Sequence, residues 1–399
     1  MGLIFNKTCE VPSSKSYANR LLILAALNPR SIEVKNLPLS SDVEAMIACL
    51  REVGLEIEKS DAGVVVKNSF PDCEKESEPL VLDTKDGGTT NRFLIPFLAR
   101  GKRKYILEPE GHMRERPMEG LLNVLKKLNV KTTYKEGSDW ITIQGPVVID
   151  GKLKEIFVDC SQTTQFLTGV ALALSDLEVS VKPENLKSSL PYWELTQEII
   201  KLGKSDENIF YNPVDFSSLS YPLGLAAVKG KVLIKNCHSI DKFQADAQFI
   251  DVLKSMGAKI YFSQEGLICE RSNLKGIDFD GSQCPDVIPT ILYVCSFANG
   301  LSTISNLEVL TYKECNRFLE MINILEKFEV DFTYDSQTYE IKIQGEPERS
   351  LEVDYAPPED HRMVMVTHLF QKTLGGGKIT KNSHHVRKSF ANFFDVIDN

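Results

Sequence analysis

No apolar run in this chain reaches the length of a membrane-spanning helix. There is no C-x-x-C pair, and the nine cysteines are an odd set, several of them inside apolar stretches. That usage speaks against a disulfide framework and for reduced thiols in a cytoplasmic protein. The N-terminal Met1-Gly2-Leu3-Ile4-Phe5-Asn6-Lys7 lacks a leader pattern, and Asn6 breaks the acylation pattern that Gly2 would begin. Positive charge is in deficit: the net charge of −9 argues against general binding to nucleic acid or to an anionic membrane surface. Metal ligands at a recognised spacing are missing, so His384-His385 reads as a surface pair. Gly375-Gly376-Gly377-Lys378 lacks the Walker spacing and reads as a turn. The acidic stretch from Pro71 to Pro79 reads as a solvated loop.

What is present is organised around Val11-Pro12-Ser13-Ser14-Lys15-Ser16-Tyr17-Ala18-Asn19-Arg20, which leads into the apolar run Leu21 to Leu27. A serine caps a helix start by accepting from amides that lack an intrahelical partner. The free amides and aligned peptide dipoles then favour an anion there. Ser16 and Arg20, four apart, share a helix face, and with Lys15 they make a cradle for phosphate or carboxylate.

The device recurs. Asp86-Gly87-Gly88-Thr89-Thr90-Asn91-Arg92 opens an apolar run, and so does Cys160-Ser161-Gln162-Thr163-Thr164-Gln165. Ser217-Ser218-Leu219-Ser220 opens another at Tyr221, with Pro222 expected in its first turn. Cys284-Pro285-Asp286 and Pro358-Glu359-Asp360-His361-Arg362 complete a set of six polar starts, roughly 55 to 75 residues apart. Amphipathic helices are expected to follow the first five, over 42–53, 116–128, 192–202, 245–256 and 314–328, most running into a short β-branched strand. Apolar nearly all round, the first helix of each unit belongs inside, covered by sheets. Six units in 399 residues divide three and three, with a crossing near 212–215.

Chemistry-bearing residues gather at these starts. Glu314 stands between Lys313 and Arg317, which as residues four apart are expected on one helix face. Asp286 sits where a helix dipole favours its ionised form, and Glu314 with Asp286 could act as an acid and base pair. Arg116, Arg362 and Lys388 add cations.

On these residues the chain resembles the enolpyruvyl transferase family, and within it the branch acting on shikimate 3-phosphate. The resemblance spans residues 11–394 and rests on Ser14-Lys15-Ser16…Asn19-Arg20, Gly88-Thr89…Arg92, Glu115-Arg116-Pro117, Gln165-Phe166-Leu167, Pro285-Asp286, Lys313-Glu314…Arg317, Asp360-His361-Arg362-Met363 and Lys388-Ser389-Phe390. It implies a two-domain inside-out α/β barrel of six βαβαββ repeats around buried parallel helices, with residues 12–213 in one domain and 1–11 with 214–399 in the other. It further implies an active site in the cleft between domains, a monomer, and substrates phosphoenolpyruvate (PEP) and shikimate 3-phosphate, with no cofactor and no metal.

Matched residue by residue, the resemblance implies that Lys15, Ser16, Arg20, Thr163, Thr164, Gln165, Ser189, Asp286 and Lys313 bind shikimate 3-phosphate. Lys15, Gly88, Arg116, Gln165, Arg317, Arg362 and Lys388 would bind PEP. The catalytic roles fall to Glu314 as proton donor, Asp286 as proton acceptor and Lys15 as an aid to phosphate departure. Family-known inhibition by glyphosate is expected, with a methyl group at Gly88 hindering that longer ligand more than PEP. The departures are Ser13, Asp86, Phe93, Val309, Thr311 and Asn316, none of which removes a proton carrier or a PEP-binding cation. Enolpyruvyl transfer to a UDP-amino sugar would call for a cysteine near Arg116, and none lies between Cys73 and Cys160. An anion-binding pseudoenzyme would have no need of intact Lys15, Asp286, Glu314 and Lys388.

Overall fold

A computed structural model describes residues 5–74, 78–136, 139–149 and 153–398. Residues 1–4 of the N-terminal stretch and residues 75–77 of the acidic stretch lie outside the described residues. The chain forms two compact units, Ser13–Pro213 and Met1–Pro12 with Val214–Asn399. It therefore passes between them twice. Pro12 belongs with the second unit, where its carbonyl accepts from Asp215 N at 2.9 Å.

Among the described residues, four four-stranded sheets follow one plan, a parallel pair extended by an antiparallel hairpin. In the Ser13–Pro213 unit, Ile209–Tyr211 pairs parallel with Ile32–Lys35, followed by Gly63–Val66 and Ile57–Ser60. Leu80–Asp83 and Lys104–Glu108 do the same with Asp139–Gln144 and Lys131–Glu136. In the other unit Phe5–Cys9 pairs parallel with Gly230–Ile234, then Gly266–Glu270 and Lys259–Ser263. Asp278–Asp280, Gly300–Ser305, Glu340–Gly345 and Asp331–Asp335 form the fourth. Among the described residues, one of the remaining two repeats shows the parallel pair Glu155–Asp159 and Ser180–Glu184, the other a bridge between Tyr355 and Ile379. Local devices repeat as well. Asp159 accepts from Ser161 N and from Asn185, and Asp280 likewise from Ser282 N and Asn306, each at 2.9–3.0 Å.

Three mostly apolar helices pack together in each unit: Lys15–Leu27, Gly88–Leu98 and Gln165–Ala173, then Phe216–Lys229, Ile288–Ser296 and His361–Leu374. Phe216–Lys229 and Ile288–Ser296 are buried at every residue. The first triplet is buried except at polar residues of its first turns. Their backbones come close: a Cβ on Gly169 would stand 2.4 Å from the Arg92 carbonyl oxygen, so only glycine permits this approach.

Several local expectations change. The fourth helix begins at Phe216, not Tyr221, because Asp215 caps it by accepting from Ser218 N at 3.2 Å. Ser217, Ser218 and Ser220 lie inside the helix, and Pro222 is interior rather than in the first turn. Side-chain caps close three of the six starts, from Ser14, Asp215 and Asp360, whereas Gly87, Thr164 and Val287 make none. The helix expected over 116–128 begins at Glu119, and that over 245–256 starts as the 3-10 turn Ala245–Ala247 before Gln248–Ser255. The helix expected over 314–328 begins at Arg317 with Asn316 as its cap. Lys313 and Glu314 therefore precede the helix and share no helical face with Arg317.

Candidate active site

In the Ser13–Pro213 unit the polar first turns of the three apolar helices meet. Lys15 Nζ pairs with Asp42 Oδ2 at 3.0 Å. Asp42 also lies beside the Gly87–Gly88 turn, since a Cβ on Gly87 would be 3.0 Å from Asp42 Oδ1. A Cβ on Gly88 would stand 2.4 Å from Arg116 Nη1 and 3.4 Å from Gln165 Oε1. The missing side chain thus admits the Arg116 guanidinium. A methyl at Gly88 would therefore meet the far end of the Arg116 side chain, a neighbour that the expected selectivity left out of account. Gln165 is fixed at both ends of its amide. Its Oε1 accepts from Arg92 Nη1 at 2.7 Å, and its Nε2 donates to Thr89 Oγ1 at 3.2 Å. The Phe166 ring lies against the Arg92 guanidinium, 5.2 Å from centroid to Cζ.

Arg20 is held as tightly. It donates from Nε to Thr196 Oγ1 at 3.0 Å, from Nη1 to the Ser16 carbonyl at 2.7 Å and from Nη2 to the Tyr192 carbonyl at 3.4 Å. Phe93 covers it at 5.4 Å. Burial, opposed by Tyr192 and Tyr17, lowers its pKa to about 10, which leaves it charged at neutral pH. Ser189 takes a left-handed conformation at the cap of Leu190–Gly203, the helix that supplies Tyr192 and Thr196. Thr163 Oγ1 accepts from Gln165 N at 3.2 Å, and Thr164 occupies the cap position beside it.

The second unit holds a denser network. Asp286 Oδ1 accepts from Lys313 Nζ at 3.2 Å and from Arg317 Nη1 at 2.9 Å, while Oδ2 accepts from Arg362 Nη2 at 3.0 Å. Arg317 donates onward to Glu314 Oε2 at 2.6 Å, and to Asp360 from Nε at 2.7 Å and Nη2 at 3.3 Å. Asp360 also caps the helix His361–Leu374, accepting from Arg362 N at 2.8 Å. Burial raises the pKa of Asp286, but Arg362, Lys313 and Arg317 outweigh it and hold the carboxyl well below the usual carboxylate range. These cations, rather than the helix dipole alone, keep Asp286 ionised. Burial depresses the Lys313 ammonium, while carboxylates hold Arg317 and Arg362 above the ordinary arginine value despite their burial. Lys388 is buried at the end of the 3-10 turn Ser383–Lys388, which packs on His361–Leu374.

Each unit therefore holds its share of the expected residues. Lys15, Ser16, Arg20, Gly88, Arg116, Thr163, Thr164, Gln165 and Ser189 belong to one, most of them at helix starts; Asp286, Lys313, Glu314, Arg317, Arg362 and Lys388 lie in the other. Sequence reasoning assigned no role to Asp42, Arg92, Thr196, Tyr221, Asp246 or Asp360, although each touches or faces an expected site residue. Asp246 carried a signal: a lone carboxylate among Ala245, Ala247 and a following apolar face.

Comparison with known proteins places the chain in a family. The family model described as EPSP synthase (3-phosphoshikimate 1-carboxyvinyltransferase) matches residues 4–397. A 3-phosphoshikimate 1-carboxyvinyltransferase of Methanococcoides burtonii is 31% identical, covering 96% of this chain and 93% of the relative. That of Vibrio campbellii is 30% identical, covering 97% and 95%. Among solved structures, EPSP synthase from Acinetobacter baumannii superposes with a TM-score of 0.76 at 20% identity, over 99% of this chain and 96% of that one. The enolpyruvyl transferase NikO from Streptomyces tendae gives 0.74 at 13% identity, over 99% and 95%, and both share this mixed α/β two-domain fold. By the match over nearly its whole length, the chain belongs to the EPSP synthase family.

Proposed function

We propose that this chain transfers the enolpyruvyl group of PEP to the 5-hydroxyl of shikimate 3-phosphate, and that the residues above carry the reaction. The observation that supports this most is the arginine–carboxylate network joining Asp286, Glu314, Arg317, Asp360 and Arg362. It combines two guanidinium groups suited to bidentate phosphate and carboxylate recognition with two carboxyl groups able to move protons.

In the addition step, protonated Glu314 delivers its proton to the methylene carbon of PEP as the 5-hydroxyl oxygen bonds to the neighbouring carbon. Asp286 takes the hydroxyl proton. In the elimination step Glu314 recovers a proton from the new methyl group, the bond from carbon to the phosphate oxygen breaks, and Lys15 assists phosphate departure. Fixed cations stabilise the charge redistributed in both steps. Lys15, Gly88, Arg116, Gln165, Arg317, Arg362 and Lys388 serve PEP. Lys15, Ser16, Arg20, Thr163, Thr164, Gln165, Ser189, Asp286 and Lys313 serve shikimate 3-phosphate. The two compact units are read as the two enolpyruvyl transferase domains of a cytoplasmic monomer that needs no metal or cofactor.

A phosphate-release assay tests this directly. Release is expected only with PEP and shikimate 3-phosphate together. Release with a UDP-amino sugar in place of shikimate 3-phosphate, or none with either acceptor, would sink the assignment.

A further inference from the structure

Arg362 is fixed at two points. Its Nη2 donates to Asp286 Oδ2 at 3.0 Å, and its Nη1 donates to the Tyr221 hydroxyl at 3.4 Å. Tyr221 lies wholly buried in the helix Phe216–Lys229. Its ring meets that of Phe393 edge-on, with centroids 5.7 Å apart and planes at 81°. Phe393 is also wholly buried, and it wedges between two helices, because it meets the His368 ring of His361–Leu374 at 5.8 Å as well.

Phe393 opens the helix Phe393–Asp398, which is only six residues long. In isolation so short a helix is unstable in water, so side-chain contacts must hold it in place. Phe393 holds one end. At the other, Asp398 Oδ1 and His368 Nε2 are hydrogen-bonded at 2.7 Å. Lys372, one turn beyond His368, donates to Asp398 Oδ1 at 3.5 Å and to its carbonyl oxygen at 3.4 Å. The same segment carries Lys388. Phe390 N donates to the Val386 carbonyl at 2.8 Å and Phe393 N to the Phe390 carbonyl at 3.0 Å, so the turn Ser383–Lys388 and the short helix form one bonded run. The seat of Phe393 therefore bears on both Arg362 and Lys388.

We propose that the helix Phe393–Asp398 braces the PEP site: Phe393 and Tyr221 are positioning residues for Arg362, and the clasp of His368 and Lys372 on Asp398 keeps the brace seated. Asp286 alone would hold one nitrogen of Arg362 and let the guanidinium turn about that contact. Tyr221 holds a second nitrogen and fixes the plane, and Phe393 fixes the Tyr221 ring through its edge-on packing. A guanidinium pairs bidentately with phosphate or carboxylate only when its plane is correctly aimed. Loss of the brace therefore weakens PEP binding more than it slows the chemistry.

Steady-state kinetics of the full chain tests the brace. Tyr221→Phe removes only the hydroxyl, and Phe393→Leu removes the ring while keeping an apolar side chain. Each should raise the KM for PEP about three- to tenfold, the range of one hydrogen bond, with kcat and the KM for shikimate 3-phosphate within about twofold of wild type. The double variant should lose little more than the worse single variant, since both act through one contact. Asp398→Ala should raise the KM for PEP in the same way, and Asp398→Glu should recover part of it. A protein that was merely destabilised would lose active fraction and keep its KM. An unchanged KM for PEP in Tyr221→Phe and Phe393→Leu, or effects that multiply in the double variant, would overturn the proposal. The link to PEP rests on the proposed function, so hydrogen exchange of the ligand-free protein supplies a separate reading. Asp398→Ala should speed exchange at the Phe390, Phe393 and Val396 amides, which bond within this segment. Unchanged exchange would sink the clasp, whereas absence of binding heat between wild type and PEP would sink the functional reading.

Discussion

Replacement of Asp360 separates two roles that one buried carboxylate combines. Its side chain is wholly buried, holds Arg317 through Nε and Nη2, and caps the helix His361–Leu374 through Arg362 N. In Asp360→Ala both roles are lost. The lost cap costs about 1 kcal/mol. Removing one partner of a buried ion pair costs about 3–5 kcal/mol. Arg317 keeps Asp286 at 2.9 Å and Glu314 at 2.6 Å, so the lower figure applies. The sum is about 4 kcal/mol. Asp360→Asn retains an oxygen for the Arg362 amide but no charge for Arg317, so it should lose about 3 kcal/mol. Urea unfolding followed by circular dichroism measures both. Tryptophan fluorescence is the internal control, because Trp140 and Trp193 both belong to the Ser13–Pro213 unit. PEP affinity should fall in both variants as Arg317 loses its anchor. An Ala variant within about 1 kcal/mol of wild type would refute the reasoning, since the carboxylate would then be contributing no more than a cap.

Three further substitutions bear on the proposed roles. Glu314→Gln leaves Arg317 bonded to Asp360 and Asp286, so PEP binding by calorimetry should persist while single-turnover rates fall at least about a hundredfold; near-normal turnover would assign the proton to another group. Gly88→Ala places a Cβ against the Arg116 guanidinium, so PEP affinity should drop at least about tenfold in a folded protein, with glyphosate affinity dropping alongside it; unchanged PEP affinity would remove Arg116 from the site. Arg92→Met leaves Gln165 Oε1 without its donor at 2.7 Å, and the loss of about 1–3 kcal/mol should appear as a higher KM, partly restored by Arg92→Lys; an unchanged KM would show that Gln165 needs no such support.

The buried helices were legible because their signal is local. A run that is apolar on every face can only lie inside, and Phe216–Lys229 and Ile288–Ser296 do so at each residue. The recurrence of polar starts was legible for the same reason, and it brought Lys15, Gly88, Gln165, Asp286 and Arg362 to the ends of helices. Boundaries were lost where two local signals compete. Asn316 takes the cap, accepting from Leu319 N at 3.2 Å, and so leaves Lys313 and Glu314 outside the helix that the four-residue spacing of Lys313 and Arg317 predicts for them. Pro222, expected in a first turn, stands inside a buried helix, as Pro96 does in its own, and packing there outweighs the interior proline penalty of about 3 kcal/mol. The partners were not legible at all. Asp42 reaches Lys15 across 27 positions, Thr196 reaches Arg20 across 176, and Ser217 meets Asp246 only because two repeat elements pack together. No spacing rule connects such residues; the topology does.

The charge balance of the site follows from that packing and bears on the order of events. The chain carries a net charge of −9, and in the second unit each of Lys313, Arg317 and Arg362 already bonds to a carboxylate. An anionic substrate thus meets cations that are held in place and partly neutralised before it arrives. The carboxylates fix the guanidinium planes, so little reorganisation remains at binding. They also suppress one another's chemistry: Asp286, bonded to three cations and held well below the usual carboxylate range, is a poor base in the ligand-free protein. Under the proposed roles, the phosphate and carboxylate of PEP would draw on Arg317 and Arg362, and Asp286 would lose that compensation and gain basicity. Under the proposed roles, proton acceptance by Asp286 is therefore enabled by the arrival of the donor substrate, and the acceptor hydroxyl is activated only when there is an enolpyruvyl group to receive.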